Sequence, residues 1–181
     1  PQGRPGPIKR EGDGRSPAGV FDVGPAYGYA PKHEEISLPY FQAAPSLRCV
    51  DDPRSKHYNQ IVSTEDTAPD WRSAERMLRD DALYVLAVVV EHNTEATKGG
   101  AGSCIFIHLW EGPNQGMSGC TAMSMSALEE LVSWLRPGAS TLVALPRSEY
   151  EALRRPWGLP VVPLPGQYDR ASTESGTRRG D

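Results

Sequence analysis

His108 and Cys120 are the side chains of this chain whose types and spacing could carry covalent chemistry. A thiol attacks as its thiolate, and with an ordinary pKa of about 8.5 it needs a neighbouring base or a positive field to reach that state near neutral pH. An imidazole can supply both. As an imidazolium it favours the thiolate, and once a carbonyl has been attacked it can return the proton to a leaving amine. Gly119 directly precedes the cysteine, and a residue without a Cβ admits backbone where a side chain would block it. The N–H groups of Gly119 and Cys120 could cradle the oxyanion of a tetrahedral intermediate, each well-aimed donor contributing roughly 3 kcal/mol. No carboxylate stands out as the group that orients the imidazole; a backbone carbonyl, Glu111 or Asn93 could do so. On residue types alone, a core histidine and an inert buried thiol weigh about equally with a catalytic pair.

The remaining thiols bear on that choice. Three cysteines cannot all pair with one another, so in an oxidising compartment at least one stays free or pairs outside the chain. Cys104 reads as a small buried hydrophobe, and a Cys49–Cys104 disulfide is an open alternative. A zinc site built from Cys104, His108 and Cys120 would lack a fourth ligand, so no metal is expected.

Several elements must position these residues. Ala82 to Glu91 is a nearly unbroken β-branched run of the kind buried on both faces of a sheet. Ser103 to Trp110 alternates as a second strand, with Cys104, Phe106 and His108 on one face and Ile105, Ile107 and Leu109 on the other. The Gly/Pro/Asn-rich stretch between His108 and Cys120 can fold back and bring the thiol beside the imidazole. A helix follows, with Ser126 and Glu129 as a capping box, Leu128, Leu131, Val132 and Leu135 on one stripe, and Pro137-Gly138 as its end. Thr141 to Leu145 reads as another core strand. Ser73 to Arg79 and Ser148 to Arg155 read as short helices, and residues 40–70 as an irregular surface segment in which Asp51-Asp52-Pro53 makes a turn or helix start. These elements make the chain β-rich, with one main helix after Cys120 and short helices at the edges. The domain is expected over residues 1–165, with a flexible polar tail over 166–181.

Other residues could surround the reactive pair. His92 and Asn93 follow the central strand and could line a cleft, and Trp110 could wall it or simply pack. Tyr58 and Asn59 could gate a substrate groove, or be a packed tyrosine and an amide-capped turn. His33 and His57 have charged or polar neighbours and read as solvated.

Bulk properties exclude some partners. The 181 residues carry 19 Lys and Arg against 23 Asp and Glu, with the basic residues scattered, so no electrostatic footprint for nucleic acid is visible. The longest apolar run, Leu83 to Val90, falls far short of the roughly 20 residues that span a bilayer. Pro1 to Arg10 has no apolar stretch resembling a secretion signal, so such a signal is expected to have been removed from the chain.

The stretch Gly102-Ser103-Cys104-Ile105-Phe106-Ile107-His108, followed by Ser118-Gly119-Cys120-Thr121-Ala122-Met123, resembles the active-site motif of the YkuD-type L,D-transpeptidases. Two further segments are similar to the same family. Lys9-Arg10-Glu11-Gly12-Asp13-Gly14-Arg15-Ser16-Pro17-Ala18-Gly19-Val20-Phe21 is similar to its Lys-x-Glu-Gly-Asp-Gly-x-Thr-Pro-x-Gly stretch, with Ser16 in the place of the threonine. Asp51-Asp52-Pro53-Arg54-Ser55, Tyr58-Asn59 and Glu91-His92-Asn93 resemble features of one subgroup. Together these blocks span roughly residues 9 to 160.

The resemblance implies a mainly β fold, a sandwich or twisted sheet with one main helix after Cys120 and short peripheral helices, and a cysteine acyltransferase of the periplasm or cell envelope that needs no cofactor. In the implied reaction Cys120 attacks a peptidoglycan tetrapeptide stem at the L-centre of its diamino acid, with His108 as base and Gly119 in the oxyanion hole, and expels the terminal D-alanine. An amine of a second stem then takes the acyl group in a 3-3 or variant cross-link. Ser118, Thr121, Tyr58, Asn59, His92, Asn93 and Trp110 are the implied substrate-binding set, Arg15, Arg72 and Arg76 could meet stem carboxylates, and carbapenems are implied acylating agents. The sequence departs from the family's commonest Ser-His-Gly-Cys form: Met117 and Ser118 precede Gly119, Ala122 stands where Arg or Asn is usual, and the His-to-Cys spacing is short. This marks a divergent subgroup. The alternatives are an L,D-carboxypeptidase or amidase that uses water, a non-catalytic wall-binding module, and a metal-binding Cys/His protein.

Overall fold

Leu83 to Val90 is the longest apolar run in the chain, and most of it becomes an inner strand of the larger of two sheets. The computed structural model describes residues 6–113 and 115–162. Within them the strands are β1 (Gly19–Gly28), β2 (Tyr40–Gln42), β3 (Leu47–Val50), β4 (Ile61–Ser63), β5 (Ala74–Arg76), β6 (Leu86–Val90), β7 (Phe106–Leu109), β8 (Thr121–Met123) and β9 (Thr141–Ala144). Two helices complete the set, α1 (Met125–Trp134) and α2 (Arg147–Arg154). The described chain is mainly β. None of its helices is long and apolar enough to cross a membrane. It forms two compact units, one ending at Ala144 and the other beginning at Leu145. The flexible tail expected over 166–181 lies outside the described residues.

In the first unit, six strands form a mixed sheet in the order β2-β1-β6-β7-β8, with β9 paired to β1 as well. Both faces of this sheet are covered, which is why β6 reads as a continuous apolar run. On one face Leu86, Val88, Val90, Ile105 and Ile107 pack with Leu128, Val132 and Leu135 from α1 and the turn after it. On the other, Ala87 and Phe106 pack with Tyr84, Cys49, Met77 and Cys104. The alternation expected for the strand ending at Trp110 therefore holds, although β7 itself is shorter and Cys104 lies before it with a positive φ of 54°.

The second layer is a small antiparallel sheet, β4-β3-β5. It corrects two expectations. Ser73 to Arg79 is not a helix, although its Ala, Glu, Arg, Met and Leu are good helix formers. It pairs as β5 with β3, Cys49 opposite Glu75 and Val50 opposite Ala74, and buries Met77 completely. Tertiary pairing outweighs a propensity of a few tenths of a kcal/mol per residue. Residues 40–70 hold β2, β3 and β4 together with buried Cys49, Val50 and Tyr58, so they are not simply surface. Strands of three or four residues are too short to show a period. The Asp51-Asp52-Pro53 stretch is a turn, with Asp52 accepting the Arg54 and Arg72 N–H groups at 3.1 and 2.9 Å.

The main helix follows Cys120 as expected, with a different cap. It begins at Met125, and the hydroxyl of Ser124, not Ser126, accepts the Ala127 N–H. Leu128, Val132 and Leu135 of the expected stripe are buried. In the second unit α2 is closed by an Arg147–Glu151 ion pair, and the Tyr150 hydroxyl donates to the Pro160 carbonyl.

Candidate functional site

β7 and β8 run parallel, with Ile107 opposite Thr121, His108 opposite Ala122 and Leu109 opposite Met123. The loop between them carries the chain back along β7, so Cys120, one residue ahead of β8, sits beside Phe106. The Phe106 N–H donates to Cys120 Sγ at 3.3 Å, and the thiol reaches the Cys104 carbonyl at 3.5 Å. Phe106 and His108 lie two residues apart on one face, about 7 Å along the strand. The structure thus brings thiol and imidazole to the same face, and no hydrogen bond joins them directly. Tyr84 lies between the aromatic neighbours, its ring 5.3 Å from that of Phe106 and edge-on to His108 at 5.2 Å.

The imidazole is oriented by backbone. Its Nδ1 meets the Leu109 carbonyl at 2.7 Å, and because a carbonyl can only accept, Nδ1 carries the proton and Nε2 is the basic nitrogen. Of the three groups that could have oriented the ring, a backbone carbonyl is the one in place. Burial lowers the proton affinity of His108, against a smaller opposing effect of the Leu109 carbonyl. Burial also pushes the Cys120 thiol up to about 12, while the Phe106 amide pulls it down. The resting pair is therefore a neutral thiol and a neutral imidazole, in place of the imidazolium-supported thiolate expected from residue types. Cys120 is the free cysteine, and Cys49 and Cys104 form a disulfide.

Gly119 is required by its conformation. It is buried with φ of +111°, and a Cβ there would come within 3.0 Å of the Arg15 carbonyl oxygen and 3.5 Å of Ile105 Cδ1. Both a strained backbone and a close approach exclude a side chain. The N-terminal segment that meets Gly119 also reaches the nucleophile, since the Ser16 hydroxyl lies 3.5 Å from the Cys120 carbonyl. No acceptor among the described residues meets the Gly119 or Cys120 N–H. Ser118 and Thr121 flank them and are exposed, and Trp110 is half-buried with its N–H on the Met123 carbonyl.

The other implied substrate contacts are placed differently. Tyr58 is buried, donating to Glu11 at 2.5 Å and accepting the Gly102 N–H at 3.1 Å. Asn59, at φ of 63°, donates to the carbonyls of His92 and Asn93 and accepts the Cys104 N–H, each at 2.9 Å. Asn93 bonds the Lys98 and Gly102 carbonyls, and His92 Nε2 meets that of Ala101. These four side chains thus grip the loop over residues 98–104, whose last carbonyl touches the thiol. Ser103 adds a hydrogen bond to the Glu11 carboxylate at 2.6 Å.

Sequence reasoning missed the polar cluster around Tyr84, beside the imidazole. The buried Tyr84 hydroxyl donates to Glu75 at 2.5 Å, and burial raises the Glu75 carboxyl. The Arg79 guanidinium stands 5.0 Å from the Tyr84 ring centre and pairs with Asp81 at 2.7 Å. The one signal was Tyr84 itself, a phenol inside an apolar run, because a buried hydroxyl must find a partner. Among the implied arginines, Arg76 pairs with Asp80 at 2.9 Å. No group of three or more His, Cys, Asp or Glu side chains among the described residues could hold a metal ion. No protein-family model matches the chain, and no curated protein or solved structure matches it either.

Proposed function

We propose that the chain is a cysteine acyltransferase of the cell envelope, an L,D-transpeptidase that acts on peptidoglycan peptide stems with Cys120 as nucleophile and His108 as base. One observation carries the reading: sequence blocks that resemble this family, far apart along the chain, converge on the single free thiol. The first block contributes Arg15 and Ser16 against Gly119 and Cys120, and Glu11 against Ser103. The second contributes Asn59 to Cys104, and the third is tied in through Asn59 and Asn93. The disulfide supports a compartment outside the reducing cytosol.

The neutral pair sets the order of events. As Sγ closes on the carbonyl carbon of the diamino acid's L-centre, its proton passes to His108 Nε2, so no free thiolate need exist in the apolar site. The Gly119 and Cys120 N–H groups receive the oxyanion. Collapse breaks the bond to the terminal D-alanine, whose nitrogen takes the proton back from His108, and a thioester remains. An amine of a second stem then attacks that carbonyl, gives its proton to His108, and releases the thiol.

Incubation of the protein with purified tetrapeptide muropeptides tests this. Cross-linked dimers accumulate if an amine is the acceptor, and shortened monomers alone would assign water to that role, making the chain an L,D-carboxypeptidase. Cys120→Ala abolishes either product. Full activity in that variant, or no product and no carbapenem mass adduct on the native chain, would overturn the assignment.

A further inference from the structure

The polar cluster beside His108 holds one cation with an unused donor. Arg79 directs Nε and Nη2 at Asp81, at 2.9 and 2.7 Å. Asp81 is itself fixed, because its Oδ1 accepts the Leu83 N–H at 3.0 Å. Tyr29 clamps the backbone on both sides, its hydroxyl accepting the Arg79 N–H at 3.2 Å and donating to the Asp81 carbonyl at 2.9 Å. A guanidinium oriented this way loses little freedom on meeting a second anion. Among the described residues no acceptor meets its Nη1, and about a third of the side chain (32%) faces solvent.

Its place is set by Tyr84, which carries the guanidinium against its ring and the His108 imidazole at its edge. The other cation near the thiol is closed off: Lys9 is 11% exposed, bonded to Asp13 and the Arg10 carbonyl. Glu75, a half-buried carboxyl on the same ring, receives the Tyr84 hydroxyl, and burial raises its pKa.

We propose that Arg79 binds a carboxylate of the acyl donor through Nη1, so that the site selects peptides with a free carboxylate beside the bond that Cys120 breaks; this rests on the acyl-transfer reading of Cys120. A guanidinium already held by Asp81 keeps a planar N–H donor at Nη1, and a carboxylate accepts it in a charge-assisted hydrogen bond stronger than the one a neutral amide makes.

Alkylation of Cys120 by iodoacetate and by iodoacetamide, followed by intact mass at one fixed pH, tests it without any cell-wall substrate. The two reagents differ in one carboxylate, and their rate ratio cancels any change in thiol ionisation. The native ratio exceeds that of glutathione, and Arg79→Gln lowers it roughly tenfold, the loss of one charge-assisted hydrogen bond. Arg79→Lys keeps part of the preference. With the native protein, N-acetyl-D-alanine slows iodoacetamide labelling and its carboxamide does not. An unchanged ratio in Arg79→Gln, no protection by N-acetyl-D-alanine, or a native thiol that neither reagent reaches would overturn the proposal. A muropeptide assay without products would leave these readouts standing, and their failure would leave the acyltransferase assignment standing.

Discussion

Burial moves the two reacting groups in opposite directions, and the consequence can be read in pH profiles. The Cys120 thiol, pushed up to about 12, is almost entirely protonated at pH 8, so a reagent that needs the thiolate reacts slowly. Iodoacetamide labelling should therefore climb about tenfold for each pH unit from 7 to 10.5, with no plateau near the ordinary thiol value. Acylation assisted by His108 follows a different limb. Its imidazole is held below the ordinary 6.5 by burial, so the basic form already predominates at that pH and above. Carbapenem acylation of Cys120 is expected to rise only on the acid side of 6.5 and to stay flat up to pH 9, and His108→Gln should convert it to the log-linear form. A native acylation rate that tracked the thiolate across pH 7–9 would remove the histidine from the reaction. The linkage signs are opposite: the lowered His108 contributes stability present above 6.5 and lost as pH falls, while the raised Cys120 contributes stability lost as pH rises from 9.0 toward about 12.

Between residue and fold stands the loop over residues 98–104, which ends at the carbonyl beneath the thiol. Asn59 accepts the loop's Cys104 N–H and donates to the carbonyls of His92 and Asn93, whose own side chains bond the loop, and it occupies a left-handed conformation that asparagine tolerates better than alanine does. Asn59→Ala should cost roughly 3 kcal/mol in denaturant unfolding, since two carbonyls and one N–H lose their partner. It should also slow Cys120 acylation, although Asn59 touches no part of the reacting pair. A loss confined to stability would detach the loop from the site. This is also where the chain was least legible beforehand. β6 could be read from its unbroken apolar run, β7 from the alternation that leads to Trp110 and α1 from its 3.6-residue stripe, and Cys120, His108 and Gly119 could be singled out by chemistry. The role of Asn59, Tyr58, His92 and Asn93 could not, since a side chain that recognises a peptide and one that recognises its own loop have the same residue type. Arg79 and Glu75 were hidden for another reason: they follow or lie in a three-residue strand whose pairing with β3 is decided by contacts distant in sequence.

At the scale of the whole chain, the site depends on two sheets. β3 belongs to the small sheet, and Cys104 introduces β7 of the large one; the Cys49–Cys104 disulfide joins them across 55 residues of sequence. Closing a loop of that length removes enough freedom from the unfolded chain to stabilise the fold by about 4 kcal/mol in the chain-entropy account. The same bond fixes Cys104, whose carbonyl meets the nucleophile. Stability and activity should therefore fall together when it is absent. The Cys49→Ala/Cys104→Ala variant is expected to lose up to about 4 kcal/mol in denaturant unfolding and, under conditions where it remains folded, to be acylated by a carbapenem more slowly at Cys120. Because both substitutions lie behind the thiol and neither touches Arg79, the iodoacetate to iodoacetamide ratio should survive better than the acylation rate. A variant that lost stability with its acylation rate intact would show that the disulfide serves the fold alone, and that the loop grip of Asn59 and Tyr58 suffices to place the Cys104 carbonyl.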